Sequence, residues 1–224
     1  MVTFYANIQK PKPISVPSIA SDTIALYFDD NWCSTELVDG TGDHDLTAVG
    51  SGLIYDGNDS PPVGTKSVRN FADGRYLTNT TINSVLASTP NNWTIEAYVL
   101  MVGTSNKCLV STANVGDTIW TYIGTDSGNT RLRTHWSTNI ALNGVANVGT
   151  TWKHVAYTWN GTLLKYYIDN VEDLSTASAN RSWLDIPTFN IGNWISSNLF
   201  WNGGINQLRL SNITRTTFPT VDNN

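Results

Sequence analysis

Residues 152–173, WKHVAYTWNGTLLKYYIDNVED, contain two runs of alternating apolar and polar residues on either side of an Asn-Gly pair. In the first run Val155, Tyr157 and Trp159 share one phase, and the second run alternates in the same way. Alternation with a period of two predicts β-strands, and the Asn-Gly pair predicts a tight turn with positive φ values between them. We therefore expect an antiparallel sheet that packs on one side and meets water on the other.

Strands of this kind, rich in Tyr, Trp, Val and Ile, predict an all-β, two-sheet β-sandwich rather than a nucleotide-binding α/β fold. The 224 residues are enough for a sizeable core, and no charge run or long polar gap divides the chain. We therefore expect one domain over residues 21–218. An extended arm over residues 1–20 precedes it, and a short tail over residues 219–224 follows it.

Charge and hydropathy argue against two classes of partner, nucleic acids and membranes. Charged residues make up 14% of the chain, the net charge is -5, and Lys and Arg form no cluster, so we do not expect nucleic-acid binding. No apolar run approaches the roughly 20 residues of a membrane span, so we expect no membrane insertion.

Cys33 and Cys108 fit no metal or redox spacing; two unpaired thiols are the favoured interpretation, and a pairing between them stays open.

Four segments in the same order resemble laminin G-like domains of the concanavalin A-like lectin and glucanase superfamily. They are the stretch WKHVAYTWNG in the hairpin, WTIEAYV at 93–99, the pair FNIGN and WNGGINQLRLSN at 189–212, and the opening strand at 24–30. The resemblance covers nearly the whole chain. It implies an antiparallel jelly-roll sandwich, but it leaves the function open, because one fold hosts many functions.

The first twenty residues differ in kind from the rest. Three prolines favour an extended course, and the segment lacks the basic region and apolar stretch of a secretory signal peptide. Phe4, Tyr5 and Ile8 are apolar side chains that a merely solvated tail would not need. Two interpretations stay open: the arm folds onto its own domain, or it docks on a neighbouring subunit.

Laminin G-like domains usually work outside cells, whereas this sequence shows no export signal. A virion protein reaches the outside by lysis, and the Asn-, Thr- and Gly-rich, Lys-poor composition resembles phage head-decoration and tail-fibre modules. We therefore predict a virion surface protein whose partners are other virion or surface proteins, or further copies of itself. A lectin-like module cut from a longer secreted protein is the alternative.

The resemblance also raises the question of glycoside hydrolysis, which needs two carboxylates on either side of the scissile bond. Glu96 is a candidate, but its same-face neighbours on the strand are Thr94 and Tyr98, and the acidic motif of laminarinase-like hydrolases is missing. Glu172 and Asp173 follow a turn, where solvated carboxylates are the commoner case. We therefore predict a non-catalytic protein and keep a hydrolase as the less favoured alternative.

Many relatives bind calcium through oxygen ligands, and the resemblance suggests Asp29, Asp30 and Asn206 for such a site here. Where relatives have Ile-Asp-Glu in the closing strand, this chain has Ile-Asn-Gln at 205–207. The loss of charge weakens the site. Calcium is therefore a candidate cofactor, and no other cofactor is expected.

Nine tryptophans are the material from which a binding site could be built. Trp93 and Trp152 match core positions of the family, and Trp159 shares the phase of the core residues beside it. An indole face beside amide side chains suits a sugar ring, which stacks on the one and hydrogen-bonds to the other. The segment 193–202, NWISSNLFWN, is the predicted recognition loop. The candidate glycan-binding residues are Asn193, Trp194, Trp201, Asn202 and, on a separate segment, Trp136.

Two outcomes would separate a lectin from a purely structural module. If the rings of Trp194 and Trp201 are exposed and face each other, the loop can bind a glycan. If both rings are buried, the sandwich serves as a decoration or spacer.

Overall fold

A computed structural model describes most of the sandwich and neither terminus. The described residues are 24–27, 46–62, 67–72, 74–80, 87, 90–104, 107–112, 121–126, 128, 130–136, 140–177, 188–194 and 199–218. The predicted arm, residues 1–20 with Phe4, Tyr5 and Ile8, lies outside them, as does the tail 219–224. No helix in this part of the chain is long and apolar enough to cross a membrane.

The described residues form seventeen strands. They are β1 (Ile24–Tyr27), β2 (Thr47–Val49), β3 (Ile54–Asp56), β4 (Ser67–Arg69), β5 (Tyr76–Asn79), β6 (Trp93–Val99), β7 (Lys107–Ser111), β8 (Thr121–Thr125), β9 (Arg131–Trp136), β10 (Ile140–Asn147), β11 (Lys153–Trp159), β12 (Leu163–Ile168), β13 (Val171–Ala177), β14 (Phe189–Ile191), β15 (Asn193–Trp194), β16 (Leu199–Phe200) and β17 (Ile205–Ser211).

The strands form two large antiparallel sheets and one small hairpin. The eight-stranded sheet has the order β13-β12-β11-β6-β17-β4-β3, with β1 paired to β17. The seven-stranded sheet has the order β10-β9-β8-β7-β14-β5-β2, and β15 pairs with β16. Strands far apart in the chain are neighbours in both sheets. The predicted all-β, two-sheet sandwich is confirmed.

The core lies between the two sheets and follows the predicted phase of the hairpin. Val155, Tyr157 and Trp159 of β11 are buried there together with Trp93 of β6. Trp152, predicted to lie in the core, is only half-buried, and its indole N–H donates to the carbonyl oxygen of Asp59 at 2.7 Å. It packs at the rim of the sandwich.

The opposite face of β11 was expected to meet water, and this expectation is wrong. Ala156 and Thr158 are both buried. The segment 212–218 crosses this outer face of the eight-stranded sheet, and the ring of Phe218 lies 5.0 Å from that of Tyr167 and 5.4 Å from that of His154. The alternation of β11 could not reveal a cover that comes from the end of the chain.

The predicted hairpin between β11 and β12 is present, with Trp159 opposite Leu164. Its turn differs from the prediction, because Gly161 has a positive φ of 86° but Asn160 does not. The carboxamide oxygen of Asn160 instead accepts the N–H groups of Thr162 and Leu163, at 3.0 and 2.7 Å. The Asn-Gly pair therefore makes a turn through its side chain.

The two carboxylates expected to be solvated, Glu172 and Asp173, have different partners. Glu172 forms a surface ion pair with Lys165 at 2.7 Å. Asp173 of β13 accepts the backbone N–H groups of Val145 and Ala146 in β10, at 3.2 and 2.7 Å. Asp173 thus joins the edge strands of the two sheets, and for this residue the expectation is wrong.

Of the two cysteines, only Cys108 lies among the described residues. Cys108 is a fully buried free thiol, and burial raises the pKa of that thiol well above its ordinary value, against a smaller lowering by a hydrogen bond with Ser111. Cys33 lies outside the described residues.

Candidate functional site

Strand β9 presents basic side chains on the outer face of the seven-stranded sheet. Leu132 belongs to the core, and the hydroxyl of Thr134 lies 2.6 Å from that of Tyr166 in the opposite sheet. Both side chains therefore point between the sheets, and the alternate positions point outward. These outward residues are Arg131, Arg133 and His135.

The outer face continues as a row of polar residues across neighbouring strands. In β14 the core residues Phe189 and Ile191 flank Asn190, which therefore points outward. Strand pairing places His135 opposite Tyr122, Tyr122 opposite Ser111, Ser111 opposite Asn190, and Asn190 opposite Thr78. We call His135, Ser111, Asn190 and Thr78 the polar row. At about 4.8 Å per strand, it runs about 19 Å from β9 to β5, the scale of a short oligosaccharide.

Asn190 is the unusual member of the polar row. Its side chain is 0% exposed, and in the described part of the chain neither the amide nitrogen nor the amide oxygen has a protein hydrogen-bond partner. The neighbouring hydroxyls are engaged, since Thr78 donates to the carbonyl oxygen of Phe189 at 3.1 Å and Ser111 to that of Asn193 at 2.8 Å. A buried amide without a partner is costly, and water or a ligand group would satisfy it.

The predicted recognition loop starts at this same place. Gly192 has a φ of 79° and donates its N–H to the carbonyl oxygen of Leu109, at the end of the pairing between β14 and β7. The chain then leaves the sheet, and the hydrogen bond from Ser111 to the Asn193 carbonyl holds the start of β15 against the outer face. The fold thus brings the loop to the polar row.

The loop residues do not form the expected pair of exposed rings. Trp201 is 1% exposed, and its indole N–H is shared between the carbonyl oxygens of Leu100 and Gly204 at 3.2 and 3.1 Å. Its ring therefore offers no face to a ligand. Trp194 is half-buried, Asn193 is buried and Asn202 is exposed. Trp136 ends β9, and its side chain lies outside the described part.

The candidate catalytic carboxylate, Glu96, is buried in a network of charges. One oxygen lies 3.4 Å from Arg209 and 3.7 Å from Arg215, and the other lies 3.1 Å from the Nε2 atom of His154. These contacts compensate its charge, and the side chain is only 4% exposed. A hydrolase instead needs two carboxylates on a groove that the substrate can enter.

The calcium prediction rests largely on residues outside the described part, because Asp29 and Asp30 lie there. Asn206 is buried in β17 opposite Tyr98. No group of three His, Cys, Asp or Glu side chains placed to hold a metal occurs among the residues described. One amide is too few ligands for calcium, so the site stays a prediction.

Two features of the site were not predicted from the sequence: the basic residues of β9 and the amide of Asn190. The stretch RLRTHW at 131–136 alternates basic residues with Leu and Thr in a chain that has only 13 Lys and Arg. That alternation was a signal for a basic strand face. Nothing in the sequence marks Asn190, because its special feature is the lack of a partner in three dimensions.

Comparison with known proteins identifies the family. The family model Laminin_G_3, of the concanavalin A-like lectin/glucanases superfamily, matches residues 72–217, well over half of the chain. The chain belongs to this family. No curated protein sequence matches it.

Several solved structures share the fold at low sequence identity. Domain 4 of AbnA, a GH43 extracellular arabinanase from Geobacillus stearothermophilus solved with arabinotriose, is 16% identical, with a TM-score of 0.64 over 85% of this chain and 92% of that one. The receptor binding domain of botulinum neurotoxin C/D mosaic serotype is 13% identical, with a TM-score of 0.63 over 86% of this chain and 48% of that one. Trypanosoma rangeli sialidase is 12% identical, with a TM-score of 0.62 over 85% of this chain and 30% of that one. The chain thus spans about half of the toxin domain and a third of the sialidase, and the likeness shows the fold alone.

Proposed function

We propose that this domain is a non-catalytic glycan-binding module and that its site is the outer face of the seven-stranded sheet beside the 193–202 loop. The observation that carries the proposal is Asn190, whose buried amide has no hydrogen-bond partner among the described residues. An amide offers both donors and an acceptor, which is what a sugar hydroxyl pair requires. Burial raises the energetic cost of leaving the amide without a partner. Because the side chain is 0% exposed, a sugar reaches it when the segment from Asn193 moves away from the outer face.

The surroundings of Asn190 suit a sugar. Trp194 follows directly on the segment that Ser111 holds against the outer face, and its indole ring is half-buried. A ring of this kind supplies a stacking surface with a polar edge. His135, at the other end of the polar row, is partly exposed and adds a further hydrogen-bonding side chain.

Proteins of the same fold support the class of ligand. The arabinanase domain was solved in complex with arabinotriose. Cell entry of botulinum neurotoxin type C, whose structure is 13% identical with a TM-score of 0.61, depends on interaction with two ganglioside molecules. Sugar binding is thus compatible with this sandwich at this degree of divergence.

The proposal of a non-catalytic role is supported by the surroundings of Glu96. Its carboxylate is held between Arg209, Arg215 and His154 and is covered by the segment 212–218. It also lies in the eight-stranded sheet, on the other side of the core from the polar row. A general acid or base would need access to the bound sugar.

Asn190→Ala tests the site. Because no described residue hydrogen-bonds to the amide, its removal should leave the free energy of unfolding unchanged or slightly higher. Glycan binding, detected on an array and measured by calorimetry, should fall at least about tenfold, and Trp194→Ala should weaken the same ligands.

Asn70→Ala is the matched control, because the Asn70 amide is exposed and donates to the carbonyl oxygen of Gly52 at 2.6 Å, away from the polar row. It should not change glycan binding. If Asn190→Ala destabilises the fold while binding is retained, or if the wild type binds no glycan, the proposal is wrong.

As the setting of this module we propose the surface of a virion, to which residues 1–20 attach it. The support is the apolar content of that arm and the Asn-, Thr- and Gly-rich, Lys-poor composition. Light scattering on the full chain and on a form lacking residues 1–20 tests the arm. We expect the full chain to assemble and the shortened form to be a folded monomer; two monomers of equal stability would contradict an assembly role.

A further inference from the structure

The two arginines of β9 lack the partners that other basic residues of the sandwich have. Lys153 pairs with Asp169 at 2.6 Å and Lys165 with Glu172 at 2.7 Å. Within the described chain, neither Arg131 nor Arg133 forms an ion pair or a side-chain hydrogen bond, and the Nε atom of each is buried without a partner.

Both guanidinium groups remain within reach of a ligand, because each side chain is only partly buried. They stand two residues apart on the same face, about 7 Å along the strand. Asp126 is the near carboxylate on this segment, and its Oδ1 atom accepts the backbone N–H of Arg131 at 2.8 Å rather than pairing with the guanidinium. In a chain of net charge -5, this leaves a local positive site.

We propose that the outer face of the seven-stranded sheet selects acidic oligosaccharides, whose carboxylates bind the guanidinium groups of Arg131 and Arg133. This inference rests on the proposed glycan-binding function and adds its ligand class. A planar guanidinium fork binds a carboxylate through two parallel hydrogen bonds. The amide of Asn190 and the indole of Trp194 then meet a hydroxyl and the ring of the same sugar chain.

The neighbouring groups favour a sugar acid over an acidic peptide. The polar row begins at His135, two residues from Arg133 on the same face of β9, and reaches Asn190 on β14, whose amide has no hydrogen-bond partner among the described residues. Such an amide matches a ring covered in hydroxyls. An acidic peptide would use the two charges and leave the amide of Asn190 without a partner.

Calorimetry with paired sugars tests the inference. The probes are trigalacturonate with its methyl ester, and sialyllactose with its methyl ester, so that each pair differs only in the charge of the carboxylate. We expect at least one acid to bind at least about tenfold more tightly than its neutral partner. The difference should shrink as salt is raised.

Variants assign the preference to β9. Arg131→Gln with Arg133→Gln should remove the preference for the acid and leave the neutral sugar bound as before. Lys153→Gln with Lys165→Gln is the matched control, because it removes the same charge from the other sheet. It should change neither the affinity for the acidic sugar nor that for the neutral sugar.

The outcomes separate this inference from the proposed function. Equal binding of acid and neutral sugar, with no effect of the arginine variants, overturns the acidic preference while glycan binding stands. Binding of triglutamate as tightly as of the acidic sugars, and dependent on the same arginines, overturns the sugar class. If the array and all four sugars show no binding, the proposed function and this inference fail together.

Discussion

Glu96 has the sequence position of a surface residue on a strand, yet the fold buries it among cations. Its partners Arg209 and Arg215 belong to β17 and to the segment after it, more than a hundred positions along the chain. Local alternation gave the face of Glu96 correctly but not what covers that face. At the scale of single residues, the sequence therefore predicts phase well and partners poorly.

Replacing Glu96 by Gln should strongly destabilise the fold. The change leaves Arg209 and Arg215 buried without their counter-charge, and breaking such a network typically costs about 3–5 kcal/mol of unfolding free energy. Urea denaturation of the wild type and the variant measures the loss. Glu172→Gln, which breaks the exposed pair with Lys165, should cost less than about 1 kcal/mol. Equal losses would show that the Glu96 network does not stabilise the sandwich.

Tyr55 gives a prediction for alkaline pH. Burial raises its pKa from 10.0 to about 12. Between these values the unfolded chain loses the phenol proton and the folded chain keeps it, so stability is intact below pH 10 and falls as pH rises toward 12. Burial also raises the pKa of Tyr98 and Tyr167, so wild type and Tyr55→Phe are compared.

The measurement is the free energy of unfolding from chemical denaturation at about pH 9 and about pH 11.5. Tyr55→Phe should lose less stability between the two values than the wild type does. Identical losses in the two proteins would mean that Tyr55 titrates alike in the folded and unfolded chain.

At the scale of elements, the hairpin of β11 and β12 could be predicted and the loop at 193–202 only in part. The hairpin is local, and its alternation and Asn-Gly pair fix its existence. The loop was found as a segment, but Trp201 lies in the core, where the carbonyl group of Leu100, 101 positions earlier, accepts its N–H together with that of Gly204. Burial of one ring of a pair depends on the strands around it, which no local pattern contains.

Gly192 should control the position of the loop. It has a φ of 79°, and a Cβ atom there would overlap the buried ring of Phe71. Gly103 has a φ of 78° with open space around it, so it is a matched control for the backbone alone. Gly103→Ala should cost roughly 1 kcal/mol, and Gly192→Ala about 1–3 kcal/mol more.

Thermal and urea unfolding measure the two costs, and calorimetry with a sugar ligand shows whether only Gly192→Ala weakens binding. A shift of the loop should weaken it, since the segment after Gly192 lies against the polar row through the hydrogen bond from Ser111. If both variants lose the same stability and bind alike, the position of the loop does not depend on Gly192.

At the scale of the whole molecule, the two outer faces of the sandwich differ in kind. The segment 212–218 covers the eight-stranded sheet, whereas the seven-stranded sheet carries the polar row and two arginines that have no side-chain partner in the described part of the chain. The two-sheet architecture followed from periodicity and from the family resemblance. The difference between the faces did not, because it depends on where the end of the chain packs.

The segment 212–218, which covers the eight-stranded sheet, leads to a last prediction. The ring of Phe218 packs on Tyr167 and His154, and with Ala156 and Tyr167 it forms a small apolar cluster separate from the main core. Phe218→Ala should therefore cost about 3 kcal/mol of unfolding free energy. Val171→Ala, at an exposed apolar residue of the same sheet, should cost less than about 0.5 kcal/mol.

Glycan affinity shows whether the face under Phe218 is only covered or also binds the ligand. Phe218 lies on the opposite side of the molecule from the polar row, so Phe218→Ala should leave the affinity of the folded protein unchanged while lowering its stability. If instead the variant keeps its stability and loses the glycan, the covered face holds the ligand, and the assignment of the two faces is reversed.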